Sequence, residues 1–291
     1  MGHIRVGISG WRYAGWRGAF YPSGLTQARE LEYASRRMQT IEVNGSHYAL
    51  QTPSSYARWY EATPRGFVFS VKSPRYLTHI LRFRDADASR KAMANFFASG
   101  LFMLKEKLGP ILWQFPPSFK FDAALFESML RLLPRNTDEA AALAREHDRH
   151  VKDTCLQPDR KRRLRHAIEV RHGSFCNDAF VAMLRKYHAA IVVSDSVKDW
   201  PYFEDLTAGF VYMRLHGTQT LYSGKYGDAA LERWAARMKA WASGAEPPDA
   251  RRIAASAAPK RSGRDVFCYF DNDIKAQAPD DACRLMHKLG G

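Results

Sequence analysis

A chain of 291 residues with 46% hydrophobic content buries a large core without help from disulfides. Its four cysteines, Cys155, Cys176, Cys268 and Cys283, are scattered with no C-x-x-C pair, which argues against a cysteine zinc site and for free thiols in a reducing compartment. The formal net charge of +14 favours a polyanionic partner, and no apolar stretch approaches the roughly 18 residues that cross a bilayer.

The first apolar run spans residues 4–8 and ends in Ser9. A start this close to the amino terminus leaves no room for a signal peptide, so a soluble cytoplasmic protein with no membrane partner is expected. An aromatic loop follows, with Trp11, Tyr13, Trp16, Phe20 and Tyr21, and then apolar residues at three-to-four spacing predict a helix over 25–38. A second run at 40–43 carries Glu42 and leads to Asn44, with a helix expected over 54–60 behind a Ser54 cap. The third, 67–71, ends in Lys72 and precedes a long helical pattern over 88–108; the fourth, 111–113, ends in Gln114 and precedes a helix over 123–133 capped by Asp122. Residues 136–164 lengthen the next connection, with helical character around 139–150 and a basic run at 160–165. The fifth run, 167–170, holds Glu169 and meets Arg171, and a helix follows over 178–188 with Asp178 as its cap. The sixth, 190–193, leads to Asp195 and to a stretch, 196–208, without helical pattern. The seventh, 210–213, meets Arg214 and His216, then a helix over 228–241 with Asp228 as cap. Residues 247–264 are rich in Ala, Ser, Pro and Arg with almost no large apolar side chain, which predicts a mobile loop open to trypsin. The eighth run, 266–270, meets Asp271 and Asn272 ahead of a last helix over 279–289.

Eight apolar runs alternating with helices predict a parallel sheet covered on both faces, and the count predicts closure into a single-domain TIM (β/α)8 barrel over 1–291. Strand residues two apart share a face, so Glu42 with Asn44, Ser70 with Lys72, Leu112 with Gln114, Glu169 with Arg171, Arg214 with His216 and Tyr269 with Asp271 are expected to point inward at the carboxyl ends, where barrel sites are built. Charged groups are costly to bury unless they pair or meet a ligand. Lys72, Arg171 and Arg214, with His216 and His47, suit a phosphate or carboxylate; Glu42, Glu169, His216 and Asp271 are the candidates for acid or base work. His172 fits a packing role as well as a functional one. Trp11 and the other loop aromatics, with Tyr222 and Tyr226 after the seventh run, either stack on a ligand or seal the barrel end. Glu169, Asp195, His216 and Asp271 are the set a divalent metal would use, but two arginines at the same level oppose a cation, and no cofactor is expected.

The segments G-I-S-G-W (7–11), I-E-V-N-G-S-H-Y (41–48), F-V-F-S-V-K-S-P with T-H (67–79), L-G-P-I-L-W-Q-F-P-P-S-F (108–119), I-E-V-R-H-G-S-F (168–175), V-Y-M-R-L-H-G (211–217) and Y-F-D-N-D (269–273) together resemble domain-of-unknown-function family 72, the YecE-like proteins, in order over nearly the whole chain. The resemblance implies a TIM barrel related in architecture to the xylose isomerase and endonuclease IV barrels, and no known reaction. Carried over by position, it implies a site made of Glu42, Asn44, Tyr48, Lys72, His79, Gln114, Glu169, Arg171, His172, Arg214, His216, Tyr226 and Asn272. Gly173 and Phe175 depart from the proline and tryptophan usual there.

The leading expectation is a barrel that binds a phosphorylated or polyanionic ligand, such as nucleic acid, and acts as a phosphoester hydrolase. A sugar-directed glycosidase or isomerase using Glu42 and Glu169 is the second, and a non-catalytic ligand-binding barrel the third.

Overall fold

The computed structural model describes residues 1–218 and 220–290. The strands are β1 (Ile4–Ser9), β2 (Thr40–Val43), β3 (Val68–Lys72), β4 (Leu108–Gln114), β5 (His166–Glu169), β6 (Ala190–Asp195), β7 (Phe210–Leu215) and β8 (Asp265–Phe270), and in chain order they close a parallel barrel. Helices α1 (Glu30–Ser35), α2 (Gly45–Tyr48), α3 (Pro53–Ala62), α4 (Ala86–Ala98), α5 (Ala123–Leu132), α6 (Thr137–Ala144), α7 (Asp178–Tyr187), α8 (Asp228–Ala242) and α9 (Gln277–Leu289) fall between and after them. The expected (β/α)8 fold is therefore present. Strands such as β2, β5 and β7 are buried at every residue, as a sheet covered on both faces requires.

By packing, the chain forms two compact units, Met1–Glu42 with Cys176–Gly291 and Val43–Phe175. In the first, β1 pairs with β2 (Ser9 opposite Glu42) and with β8, while β7 lies between β6 and β8. In the second, β3, β4 and β5 pair in succession. β4 starts earlier than its apolar run suggests and contains Pro110. Proline offers no N–H to a ladder; the β3–β4 register shifts between Phe69 and Val71, and Ser70 Oγ donates to the Pro110 carbonyl at 2.9 Å.

Helix ends differ from the periodicity where turn chemistry decides. The 25–38 helix shrinks to a 3₁₀ turn at Gln27–Arg29 and the six residues of α1. The cap of α3 is Thr52, whose Oγ1 accepts from Ser55 N, with Pro53 at the first helical position, so Ser54 lies inside. Asn177, not Asp178, caps α7, and Gly227 precedes α8 without a side-chain cap, leaving Asp228 in the first turn; Asp122 does cap α5. The long 88–108 pattern breaks at Gly100, whose φ of 121° lies outside helical space and where a Cβ would meet Pro53 Cα at 2.6 Å. Helix α6 stops at Ala144, short of His150.

A buried hydrogen-bond relay fixes the amino end of β5. Trp113 Nε1 donates to His166 Nδ1 at 3.0 Å, and His166 Nε2 lies 2.7 Å from the Pro134 carbonyl, so the ring proton sits on Nε2. Burial pushes this imidazole down to about 4, as expected where protonation would put a second donor against Trp113.

The 247–264 stretch has no regular structure, yet it is anchored, contrary to the expectation of a mobile loop. Buried Asp205 accepts from Ile253 N and Ala254 N at 2.8 and 3.0 Å, buried Glu204 accepts from Arg251 N at 2.9 Å, and Arg264 donates to the Gly244 and Pro259 carbonyls. Composition registers missing apolar burial and is blind to carboxylates elsewhere that satisfy a loop's amides. Trypsin is expected to cut first after the exposed Lys260 and Arg261 and to spare Arg251 and Arg252 until Asp205→Ala releases their backbone; mass spectrometry of timed digests showing early cleavage at 251 or 252 in the unmutated chain would refute the anchoring.

Candidate functional site

The first unit gathers polar side chains at the carboxyl ends of β1, β2, β7 and β8. Alternation along β7 puts Tyr212 and Arg214 on one face, and along β8 it puts Tyr269 with Asp271. A lower layer joins Thr40 Oγ1 to Tyr269 OH at 2.9 Å, with the Tyr212 and Tyr269 rings 4.9 Å apart. Above it Glu42, fully buried, accepts from Ser9 Oγ at 2.6 Å, Tyr212 OH at 2.5 Å and the Arg214 guanidinium at 2.9 and 3.2 Å. Arg214, 1% exposed, also donates to Asp271 Oδ2 at 2.8 Å, and His216 Nδ1 lies 3.0 Å from the same oxygen.

This geometry bears on two sequence expectations. Arg214 was expected to read an anion, but two carboxylates already balance its charge. Glu42, the expected acid or base, has both its oxygens accepting hydrogen bonds and meets Arg214, which in turn meets Asp271. Asp271 and His216 form a close carboxylate–imidazole pair, with the edges of Trp200 and Tyr222 packed on the His216 ring at 5.5 and 5.8 Å. Gly217 makes this turn possible, since its φ is 101° and a Cβ would meet Ser223 O at 2.2 Å.

Asp273 and Trp200 escaped the sequence reading as site members, and Tyr13, read there as a stacking or sealing aromatic, lies beside Asp273. Tyr13 OH donates to the Ser9 carbonyl at 2.5 Å; burial first, then the charge of Asp273, holds its phenol far above the usual range. Asp273 is itself pushed up to about 8 by burial and then by the Asp271 charge. The Y-F-D-N-D motif contains Asp273, but it lies past the end of β8, where strand alternation no longer marks a face. Trp200 comes from an irregular stretch, where no periodicity marks a face.

Also in this unit, Asp195 and Tyr226 line a separate cavity of about 400 Å³ with Trp234 and Arg233. Burial raises the Asp195 carboxyl, and Tyr226 OH accepts from Gly217 N at 3.2 Å. Asn272 Nδ2 bonds the Gly224 carbonyl and Asp281 at 3.0 and 2.9 Å, which makes its amide a brace for the 224 turn. Trp11 is buried, its carbonyl accepting from Tyr21 OH, and Tyr13, Trp16, Phe20 and Tyr21 pack on one another and on Tyr33, so the first loop's aromatics mainly seal.

The second unit carries a cationic cluster. Arg171 donates through Nε and Nη2 to Glu169 Oε1 at 2.9 and 2.8 Å. Lys72 ends β3 at 8% exposure, and Gln114 ends β4 with Nε2 on the Phe115 carbonyl. After β3, residues Tyr76–Leu81 form a π-helical turn, a rare geometry found often at functional sites. Arg82 and Phe83 follow at φ 52° and 56°. His79 sits on that turn, its Nδ1 2.9 Å from Thr78 Oγ1. Burial and then the charges of Lys72, Arg171, Arg75 and Arg82 push its imidazole down to about 4. His47, from α2, donates Nδ1–H to the Ser73 carbonyl at 2.8 Å and packs edge-on to His79 at 5.1 Å. Asn44 heads α2 without capping it, and Tyr48 at its end is 75% exposed. His172 Nδ1 accepts from Ser174 N at 3.1 Å, which leaves the ring proton on Nε2. The structure thus brings Lys72, His79, Glu169 and Arg171 together in this unit, and Glu42, Arg214, His216 and Asp271 in the other. Among the described residues no three His, Cys, Asp or Glu side chains are grouped as a metal ion requires, and no helix is long and apolar enough to cross a membrane.

A closed parallel barrel with polar side chains at its strands' carboxyl ends defines a (β/α)8-barrel protein of the kind that builds its site on that face. More particularly, the family model described as "Protein of unknown function DUF72" matches residues 5–291, and the chain belongs to that family. It is 30% identical over 118 residues to the UPF0759 protein YunF of Bacillus subtilis (strain 168), a match spanning 40% of this chain and 41% of that relative. A DUF72 family protein from Thermotoga maritima MSB8 superposes with a TM-score of 0.74 at 21% identity, over 99% of this chain and all of the other. One from Enterococcus faecalis V583 gives 0.69 at 16% identity, over 99% and 96%. At these identities the structural matches establish the shared fold.

Removing Arg214 leaves Glu42 and Asp271 buried without their counter-ion, so Arg214→Ala is expected to cost about 3–5 kcal/mol in chemical denaturation; a loss below 1 kcal/mol would show that the network does not hold this layer. Asp273 gives a pH signature. Its folded carboxyl titrates at about 8 against an ordinary 3.8, so the folded state binds more protons, and the stability this contributes at low pH is lost as pH rises toward 8. Between pH 5 and 8.5 the denaturation midpoint of the unmutated protein should therefore fall more than that of Asp273→Asn.

Proposed function

We propose that the protein binds a phosphorylated ligand at the carboxyl ends of β3 and β5, through Lys72 and Arg171 with His79 beside them, and acts on it as a phosphoester hydrolase. The observation that carries this reading is the set of four cations acting on one half-buried imidazole, Lys72, Arg171, Arg75 and Arg82, in a unit where Glu169 is the carboxylate paired with Arg171. Of these, Lys72 and Arg171 hold their charges at low exposure, which lowers the cost of desolvating an anion. The net charge of +14 would draw such a ligand in, and Lys72 and Arg171 would stabilise charge developing on phosphoryl oxygens.

Binding should be linked to proton uptake. An anion among these groups offsets the cations that depress His79, so its pKa rises on binding, and affinity tightens as pH falls from 7 toward 5. Calorimetric titration of inorganic phosphate in buffers of different ionisation enthalpy is expected to show net proton uptake at pH 5.5. Lys72→Ala and Arg171→Ala should each weaken binding about tenfold or more, whereas neutralising the surface run Arg160, Lys161, Arg162 and Arg163 should leave a small ligand's affinity nearly unchanged. Phosphate affinity insensitive to Lys72→Ala and Arg171→Ala would remove the reading. Intact binding without turnover of phosphomonoester and phosphodiester substrates would leave the non-catalytic barrel in its place.

A sugar-directed activity is the second reading, favoured by one observation in the other unit. Asp273 retains its proton near neutral pH beside the Asp271–His216 pair, a combination suited to proton transfer at a hydroxyl or carbonyl.

A further inference from the structure

The second unit contains a cavity of about 500 Å³ that neither the sequence motifs nor the family match assigns. Its walls come from α2, the turn after β3, α4 and the 148–150 turn. We infer that this cavity receives the planar heteroaromatic ring of the phosphorylated ligand, because two exposed tyrosines line it and two of its wall residues, His47 and Arg75, also border the cationic cluster around His79. The inference rests on the anion-binding reading and narrows its substrate class to a ring-bearing phosphate of mononucleotide size.

Size is the first argument, since pockets for ligands of this class run to roughly 300–1,000 Å³. Continuity is the second. Arg75 lines the cavity and is among the cations acting on His79, and the His47 ring stands 5.1 Å from that of His79. A phosphate held at the cluster therefore has its substituent beside the cavity. The third argument is surface chemistry. Among the described residues Tyr48 and Tyr76 are the aromatic members of the exposed large apolar set, at 75% and 51%, and both line this one cavity. Rings left in water beside a hollow offer faces on which a flat ligand stacks, whatever its hydrogen-bonding edge. The opposite wall is already organised: Asn95 Nδ2 donates to Asp148 Oδ1, Asp148 N donates to Asn95 Oδ1, and His150 N bonds the same carboxylate. Lys91 Nζ is held by the Glu146 carbonyl. Arg75, by contrast, makes no hydrogen bond or ion pair among the described residues, which leaves its guanidinium available where the cavity meets the cluster.

The test is equilibrium titration of the full chain with adenosine 5′-monophosphate, ribose 5-phosphate and inorganic phosphate. The nucleotide is expected to bind at least tenfold more tightly than ribose 5-phosphate. The double substitution Tyr48→Ala and Tyr76→Ala should bring the two within about twofold, with phosphate and ribose 5-phosphate affinities unchanged; both side chains are exposed, and circular dichroism verifies that the variant folds. Tyr48→Phe should retain the nucleotide's advantage, since the ring and not the hydroxyl carries it. Equal affinities for nucleotide and ribose 5-phosphate in the unmutated protein, or an advantage that survives the double substitution, overturn the inference while the anion site stands. Failure of all three ligands to bind at millimolar concentration overturns the anion site, and this inference falls with it.

Discussion

A guanidinium with 1% exposure has to be ionised and matched, and much of the first unit follows from doing so for Arg214. Taking a single charge out of water costs several kcal/mol, and a second charge of opposite sign repays it only when geometry and hydrogen bonds are complete. Arg214 meets this condition with Glu42 on one side and Asp271 on the other, and Glu42 is completed in turn by Ser9 and Tyr212. These residues come from β1, β2, β7 and β8, so the ion network also ties together strands far apart in sequence. Asp271 is left facing His216, and its charge helps hold Asp273 protonated.

The two clusters solve different electrostatic problems. Around Arg214 the charges nearly cancel within the protein, with carboxylates in slight excess. Around His79 the cations outnumber the carboxylate paired with Arg171, and burial together with those cations keeps this histidine neutral where an ordinary one would begin to charge. A cluster with more cations than carboxylates gains from an anion; one in which the carboxylates outnumber the arginine does not. This contrast, and not the net charge of the chain, is why we propose Lys72 and Arg171 for an anion.

The barrel was legible in the sequence because eight buried strands must be apolar on both faces and end where polarity begins; all eight predicted runs are strands. Glu169 and Arg171, which the same-face rule puts together, do meet, although Arg171 lies past the end of β5. What sequence patterning could not supply was partnership. Nothing in the spacing of Arg214 tells that two carboxylates meet it, and nothing in the composition of 247–264 tells that Asp205 and Glu204 hold its backbone. Helix starts were misplaced where a cap one or two residues upstream, Thr52 or Asn177, outcompeted the nearer polar residue. Asp273 and Trp200 were missed because they join the site from loops, whose side chains follow no period.

The Trp113–His166–Pro134 relay has a bearing on which sequences can carry this fold. The position of His166 has to present one acceptor toward an indole N–H and one donor toward a carbonyl, within a buried space. Asparagine is too short to span both partners, and lysine or arginine would bring a second donor against Trp113. Only neutral histidine and, with rearrangement, glutamine offer both functions. A family member that replaces the tryptophan by an apolar side chain is released from half of that demand, so the residues at these two positions should change together among relatives, and a lone substitution at either should be rare.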